Sequence, residues 1–468
     1  MNAHYYCRSL RLELNDFGTS ILIAESFSLN VGALINPKIL SFTFCLGTIQ
    51  QLRTCLRQMP ERAFNRVATY LGLERIVLLA CVAFFILNFG TSLWLTLFAV
   101  YLDNAGLTAI WIGAVLTGIN ASISLTYLPS GRLSDLVGRR VPLIAGSALI
   151  AINTFLLYFT KNPLLIMVFT ILYGVGQGLA TPAVNALVAE ASHPSKSGMA
   201  YAGYYISILS ATVLGSTLSG LLASSLGFQS LFLIAAVLLV AAALIIYFFI
   251  KEVNGQWRGS YHLAFKESLK RSISGTASLL RTDRELRLLA VALSFHAFGF
   301  YMLYPYIALY ATYAIQLDVV QTGIIIALWN VGLISTQIPF GRMTDKLGGE
   351  PMLFMHFVLS TLSWVAYALS RTFTVAAITM IIFGIIGAMD MPARRTIMLE
   401  HATAEAGKAT IIGAVDSITT GVGIAAPLIG AIAWAQMGYS APFMIGAFVN
   451  VFSCLPMLAL LRKKKSNQ

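Results

Sequence analysis

Four ionisable residues stand in stretches of this chain that are otherwise apolar: His296, Asp390 with Arg394 four residues further on, and Asp416. A charge in hydrocarbon is expensive, so such residues mark solute or ion paths, proton relays or mutual pairs. At i, i+4 on a helix, Asp390 and Arg394 share one face. Two readings of Asp390 stay open: it carries a proton or touches a solute, or it is held structurally by Arg394. Asp416 is either part of a gate network or a coupling group. His296 is either satisfied by a polar neighbour or functional.

Other chemistry lacks its residues. No GxxxxGK[ST] phosphate loop is present, which argues against ATP as the energy source. No HExxH, paired CxxC or Ser/His/Asp set supports a membrane enzyme. Cys7, Cys45, Cys55, Cys81 and Cys454 show no metal-ligand spacing and read as free thiols. A metal site and a bound cofactor are therefore not expected.

The elements that carry these residues follow from composition. Of 468 residues, 57% are hydrophobic and 11% charged, with a mean hydropathy of +0.78; soluble domains carry about 25% charged residues. Runs such as Ile76–Leu102 and Pro163–Ala189 hold no Asp, Glu, Lys, Arg or His. Each is long enough to cross ~30 Å of hydrocarbon as a helix, the form that satisfies its own backbone there. Spans are predicted at 76–102, 108–130, 141–160, 163–189, 198–223, 228–250, 288–312, 319–340, 351–370, 373–396, 408–435 and 440–461. The expectation is an all-α membrane protein with twelve transmembrane helices. Net charge is +12, but the basic residues are scattered through short loops, which fits topology rather than nucleic acid. Loops holding Arg132, Arg139, Arg140, Lys196, Arg342, Lys346, Arg394, Arg395 and Lys408 are expected in the cytoplasm, with both termini.

The predicted organisation is a segment 1–74, a six-span bundle 75–250, a basic linker 251–287, a second bundle 288–462 and a basic tail 463–468. Residues 1–58 lack the layout of a signal peptide, and Met59, opening a short basic amphipathic lead-in, is an alternative start.

Two charged clusters interrupt the apolar pattern, GRLSDLVGRR at Gly131–Arg140 and GRMTDKLGGE at Gly341–Glu350. Their spacing is 341 − 131 = 210, and the same offset pairs Gly113 with Gly323, Asn120 with Asn330, Gly174 with Gly384, Pro182 with Pro392 and Glu190 with Glu400. The chain is thus a duplication of two like-oriented six-span halves, an architecture that places a solute site between repeats.

On these residues the chain resembles the major facilitator superfamily. Gly131, Arg132, Asp135, Gly138, Arg139 and Arg140 look like the family's signature loop between spans two and three, and Gly341, Arg342, Asp345, Lys346 and Gly348 like its second copy. Leu136 departs from the basic residue usual there, and Gly349-Glu350 replaces the basic pair. The resemblance covers about residues 75–462 and implies the fold of two pseudo-symmetric six-helix bundles. It also implies that Asp135 latches onto the start of span eleven near Lys408, while Arg139 and Arg140 bridge to acids such as Glu190. Spans one, four, seven and ten would line the cavity with Asn88, Trp94, Gln177, Tyr301, Tyr304 and Asp390; Asn120 and Asn330 are either solute contacts or helix–helix glue. The Arg that proton-coupled members carry in span four is absent, Gly174 standing in its place, and the Gly-Pro element of span five lacks its Pro in Gly215–Gly220.

With no Arg or Lys mid-span, a phosphate or dicarboxylate would lack a counter-charge. The predicted protein is a monomeric multi-pass transporter of the cell membrane, moving a small neutral or amphipathic solute by alternating access without ATP. Proton coupling, where present, falls to Asp390 or Asp416. A facilitative uniporter of the same fold and a transporter-like sensor are the alternatives.

Overall fold

Where the apolar runs end, the helices do not always end with them. The computed structural model describes residues 75–191, 197–250, 252, 281–401 and 408–467, and among these no strand occurs. The predicted segment 1–74 and most of the basic linker lie outside the described residues. In the first half, α1 is Arg75–Leu95, continued by Phe98–Asn104; α2 is Ala109–Val137, α3 Arg140–Tyr158, α4 Pro163–Glu190, α5 Ser197–Leu226 and α6 Phe228–Phe249. In the second half, α7 is Arg284–Leu303, passing through a 3-10 turn at Tyr304–Tyr306 into Ile307–Tyr313. Then follow α8 (Val319–Leu347), α9 (Gly349–Leu369), α10 (Phe373–Gly387, then Asp390–Glu400), α11 (Lys408–Val422, a 3-10 turn, then Ala426–Met437) and α12 (Ala441–Val451, then Cys454–Asn467). All twelve are long and apolar enough to cross a membrane.

Four of the five breaks, all but that in α1, have a common cause. Pro305, Pro392, Pro427 and Pro456 lack the N–H that would close the helix onto the residue four back, and α7, α10, α11 and α12 each break within that turn. Such interruptions leave carbonyls free to accept from side chains, which matters for the site.

The charged clusters are not loops. α2 runs on to Val137 and α8 to Leu347, so both carry the motif on a helical extension beyond the apolar run, and each chain reversal occurs at a single glycine. Gly138 and Gly348 hold φ of 91° and 90°, a backbone region closed to most side chains. Gly131 and Gly341 sit in the helix with open space where a Cβ would be. Hydropathy marks where lipid ends, whereas the helix continues into water.

Helices one to six pack among themselves, as do seven to twelve: α4 on α2 and α3, α1 on α5 and α6, and likewise α7 and α9 on α12, and α8 on α10. The halves meet along two seams, α2 with α11 and α5 with α8. The repeat-paired glycines explain the close approach. A Cβ on Gly113 would lie 3.0 Å from the Pro427 carbonyl oxygen and from the Tyr306 hydroxyl; one on Gly323 would lie 2.8 Å from the Ser216 carbonyl oxygen. Outward faces carry Val237, Leu362 and Phe448, more than half exposed, as suits helices solvated by hydrocarbon.

Candidate functional site

A polar cluster is built inside the second half, where the breaks lie. Asp390 opens the second piece of α10, and its Oδ2 is 3.3 Å from Arg394 Nε at i+4. Arg395 Nη2 donates to Asp416 Oδ2 of α11 at 2.7 Å. The four side chains are 14–26% exposed, so each pair is accessible without being solvated. Among the described residues, Asp390 Oδ1 and Asp416 Oδ1 are buried without a hydrogen-bond partner, an acceptor capacity left unused in this arrangement.

Behind Asp390 lies a second layer. His296 of α7 meets His356 of α9, Nε2 to Nε2 at 3.2 Å, and its Nδ1 is 2.9 Å from Asn450 Oδ1 of α12. His356 Nδ1 is 2.9 Å from the Ile386 carbonyl oxygen, at the end of the first piece of α10. Asp390 and Arg394 are the charges that act on both rings. Trp364 stacks on His296 at 5.5 Å between centroids, and Phe300, Tyr304, Trp329 and Phe383 continue the aromatic wall toward the uncharged end.

Tyrosines of the first half lie in the field of this cluster. Tyr127 of α2 lies in the field of Asp416, Arg395 and Arg394, and Tyr205 of α5 in that of Arg394. Tyr173 of α4, bonded to Gln177, is near Tyr304 of α7. The charges of the cluster therefore act on tyrosines of the other half.

The predicted site residues separate into three sets. His296, Tyr301, Asp390, Arg394 and Asp416 come together as described, with the Tyr301 ring packed on Gly423 of the α11 break. Trp94 is fully buried among Phe98, Tyr173 and Phe232 and packs the first half rather than lining a path. Asn330 is also buried and donates to Ile326 in its own helix; Asn88 donates to Phe84 and stays half-buried, as does Asn120. Arg394 pairs with Asp390 on α10, as the i, i+4 reading has it, and Arg395 is likewise a helical residue, paired with Asp416, so neither is a loop residue fixing topology. Guanidinium groups thus do lie within a span, although each is neutralised by its own carboxylate. His356 and Asn450 are not among the sequence candidates, and Arg395 is there only as a topology residue; the signal available for the first two is a polar residue within an apolar run.

At the charged end, Arg139 Nη2 meets Glu190 Oε1 at 2.6 Å, and Arg140 donates to the Tyr247 carbonyl oxygen at 2.7 Å. The acid at the start of α3 is Glu252: its two carboxylate oxygens accept from the backbone N–H groups of Arg139 and Arg140 at 2.9 and 3.0 Å. An anion there satisfies orphan amides and complements the helix dipole. The side chains of Arg132, Asp135 and Lys408 lie outside the described residues, and the latch with them; Arg342, Asp345 and Lys346 are exposed. At the opposite end the halves touch directly: Tyr313 donates to Asp103, and Thr117 Oγ1 accepts from Leu428 N–H at 3.1 Å.

Twelve helices in two seamed halves around a buried ionic cluster define a membrane transporter architecture. The family model described as Major Facilitator Superfamily matches residues 78–311 and 289–468. The chain belongs to the major facilitator superfamily. It is 25% identical over 411 residues to the Multidrug resistance protein MdtG of Dickeya zeae, covering 84% of this chain and 96% of that one. The same-named protein of Proteus mirabilis is 25% identical over 387 residues, covering 79% and 92%. Among solved structures, the human organic anion transporter TETRAN aligns at a TM-score of 0.63 and 16% identity, over 82% of this chain and 98% of that one. The nucleoside transporter NupG aligns at 0.66 and 13%, over 82% and 99%; these two establish the shared fold.

Proposed function

We propose that this chain is a proton-coupled secondary transporter that moves a small neutral or amphipathic solute across the cell membrane by alternating access, as a monomer and without ATP. The observation that carries this reading is the ionic cluster Asp390–Arg394 and Arg395–Asp416, whose charges act on Tyr127 and Tyr205 of the other half. Both guanidinium groups are paired, so the cluster offers no net positive charge to an organic phosphate, while each aspartate keeps one unpartnered oxygen and aromatic rings flank it. This suits an amphipathic solute with a polar or weakly cationic group. The relatives named for multidrug resistance support the same cargo class and a direction out of the cell.

With the charged end placed in the cytoplasm by the excess of Lys and Arg, contacts between Asp103 and Tyr313, and at Gly113 and Gly323, close the outer end. The molecule is then in an inward-facing state, and the halves rock about the central cluster to open the other way.

The test is uptake of a fluorescent amphipathic cation into inverted membrane vesicles bearing the protein. Uptake is expected to follow an imposed pH gradient and to lose that dependence in Asp390→Asn. Gradient-independent uptake in the unaltered protein would instead establish a uniporter, and absence of flux across a panel of neutral and cationic dyes would defeat the reading.

A further inference from the structure

We infer that His296 and His356 together bind one proton, as a bridged imidazole pair within the second half. The inference rests on the transporter reading only for its role in the cycle; the proton itself is counted from geometry. A neutral imidazole carries one N–H and one lone pair. His356 Nδ1 faces the Ile386 carbonyl oxygen at 2.9 Å, which can only accept, so the proton of that ring is on Nδ1. Ser360 Oγ is further from the same nitrogen, at 3.4 Å, and does not change the assignment.

His296 Nδ1 faces Asn450 Oδ1 at 2.9 Å. The Asn450 amide cannot be turned round, because its Nδ2 donates to the Phe357 carbonyl oxygen and to Thr361 Oγ1, both at 3.0 Å. Turning it would set oxygen against oxygen at Phe357. His296 therefore also keeps its proton on Nδ1. Two neutral rings so arranged would point lone pair at lone pair across the 3.2 Å contact between their Nε2 atoms. A third proton, shared along that line, turns the clash into a charge-assisted hydrogen bond.

Few charged groups surround the pair. From α10, Asp390 and Arg394 face the pair; from α9 come Phe357, Ser360 and Trp364, and from α12 Asn450, all uncharged. Asp416 and Arg395 lie beyond Arg394 and pair with each other. The four formal charges cancel, so the bridging proton is the net charge of the cluster, beside the carboxylate with an unpartnered oxygen. A cationic group drawn to Asp390 would compete with it directly, which is the coupling that exchange of a solute for a proton requires.

The test reads protonation rather than transport. The full chain, labelled with 15N-histidine and placed in lipid bilayers, is examined by solid-state NMR at pH 8, where free imidazoles are neutral. A His401→Gln background is used, because the His401 ring lies 2.8 and 3.4 Å from the carboxylates of Asp283 and Glu285 and its signals would overlap those of the pair. The expected result is one cationic imidazole signal, with a nitrogen–nitrogen coupling across the bridge that identifies the pair without further substitution. The signal should be lost in His356→Gln and in His296→Gln. Only neutral imidazole signals at pH 8, or a cationic signal without the coupling that survives both substitutions, overturns the inference, whatever the protein transports.

Discussion

Arg395 of α10 donates to Asp416 of α11 at 2.7 Å and ties together two helices that are both broken by proline. The pair joins α10 to α11 within the second half. Asp416→Asn leaves the Arg395 cation without its counter-charge. Allowing for the partial exposure of both side chains, the expected cost is about 1–3 kcal/mol, read as a lowered unfolding temperature in detergent. The double change Arg395→Met with Asp416→Leu should recover most of that loss; a further drop would contradict the pairing.

The seams predict a steric effect. At Gly113 the Ala431 methyl and the Pro427 carbonyl, and at Gly323 the backbone of Ser216 and Gly220, leave no room for a side chain. Gly113→Leu or Gly323→Leu should cost about 1–3 kcal/mol of packing in the closed arrangement and drive the uncharged end open. Labelling of a single cysteine placed beside Asp390, with a reagent confined to that side, should rise several-fold. An unchanged rate would mean the seams do not gate that end.

A gentler version of the same measurement uses the bond from Tyr313 to Asp103. Tyr313→Phe keeps the ring against Trp434 and Tyr439 while removing the donor. Loss of one such bond is worth about 1 kcal/mol, so the open population at that end should grow roughly fivefold, with no change in the pH dependence of transport.

At the other end, Glu252→Gln should remove the anion held by the first amides of α3, at a cost of about 0.5–1 kcal/mol. Gly138→Ala should cost more, because its φ of 91° disfavours a side chain and the new Cβ would meet the Glu252 carboxyl. Unfolding temperatures of the two variants rank the effects, and the reverse order would deny Glu252 its place against α3.

Much of this fold was legible because hydrocarbon imposes a simple rule. Charge-free runs had to be helices, and the 210-residue offset had to be a duplication. Pairs such as Gly113 with Gly323 announced positions of equal structural duty before any contact was known. What hydropathy cannot show is how far a helix continues past the lipid, and so the motif at Gly131–Arg140 read as a loop although all but its last turn is α2. It also sorts residues by local average. The pairing of Arg394 with Asp390 follows from their spacing, but Arg395 reads as the start of a loop, and the acid that neutralises it stands on α11. His356 drew no notice as a lone imidazole in an apolar run; its meaning comes from His296 on a different helix. Glu252 is separated by more than a hundred residues from the amides it serves, a link no local pattern carries.

The bareness of the two glycine seams has an energetic corollary. Where backbone lies on backbone with little side chain between, separation gives up dispersion but strands few charges, so that end of the molecule yields at modest cost. The paired Arg and Asp side chains stiffen the interior instead. A protein soft at one rim and rigid at its centre can tilt its halves repeatedly while its central side chains keep their spacing, as the proposed transport cycle requires.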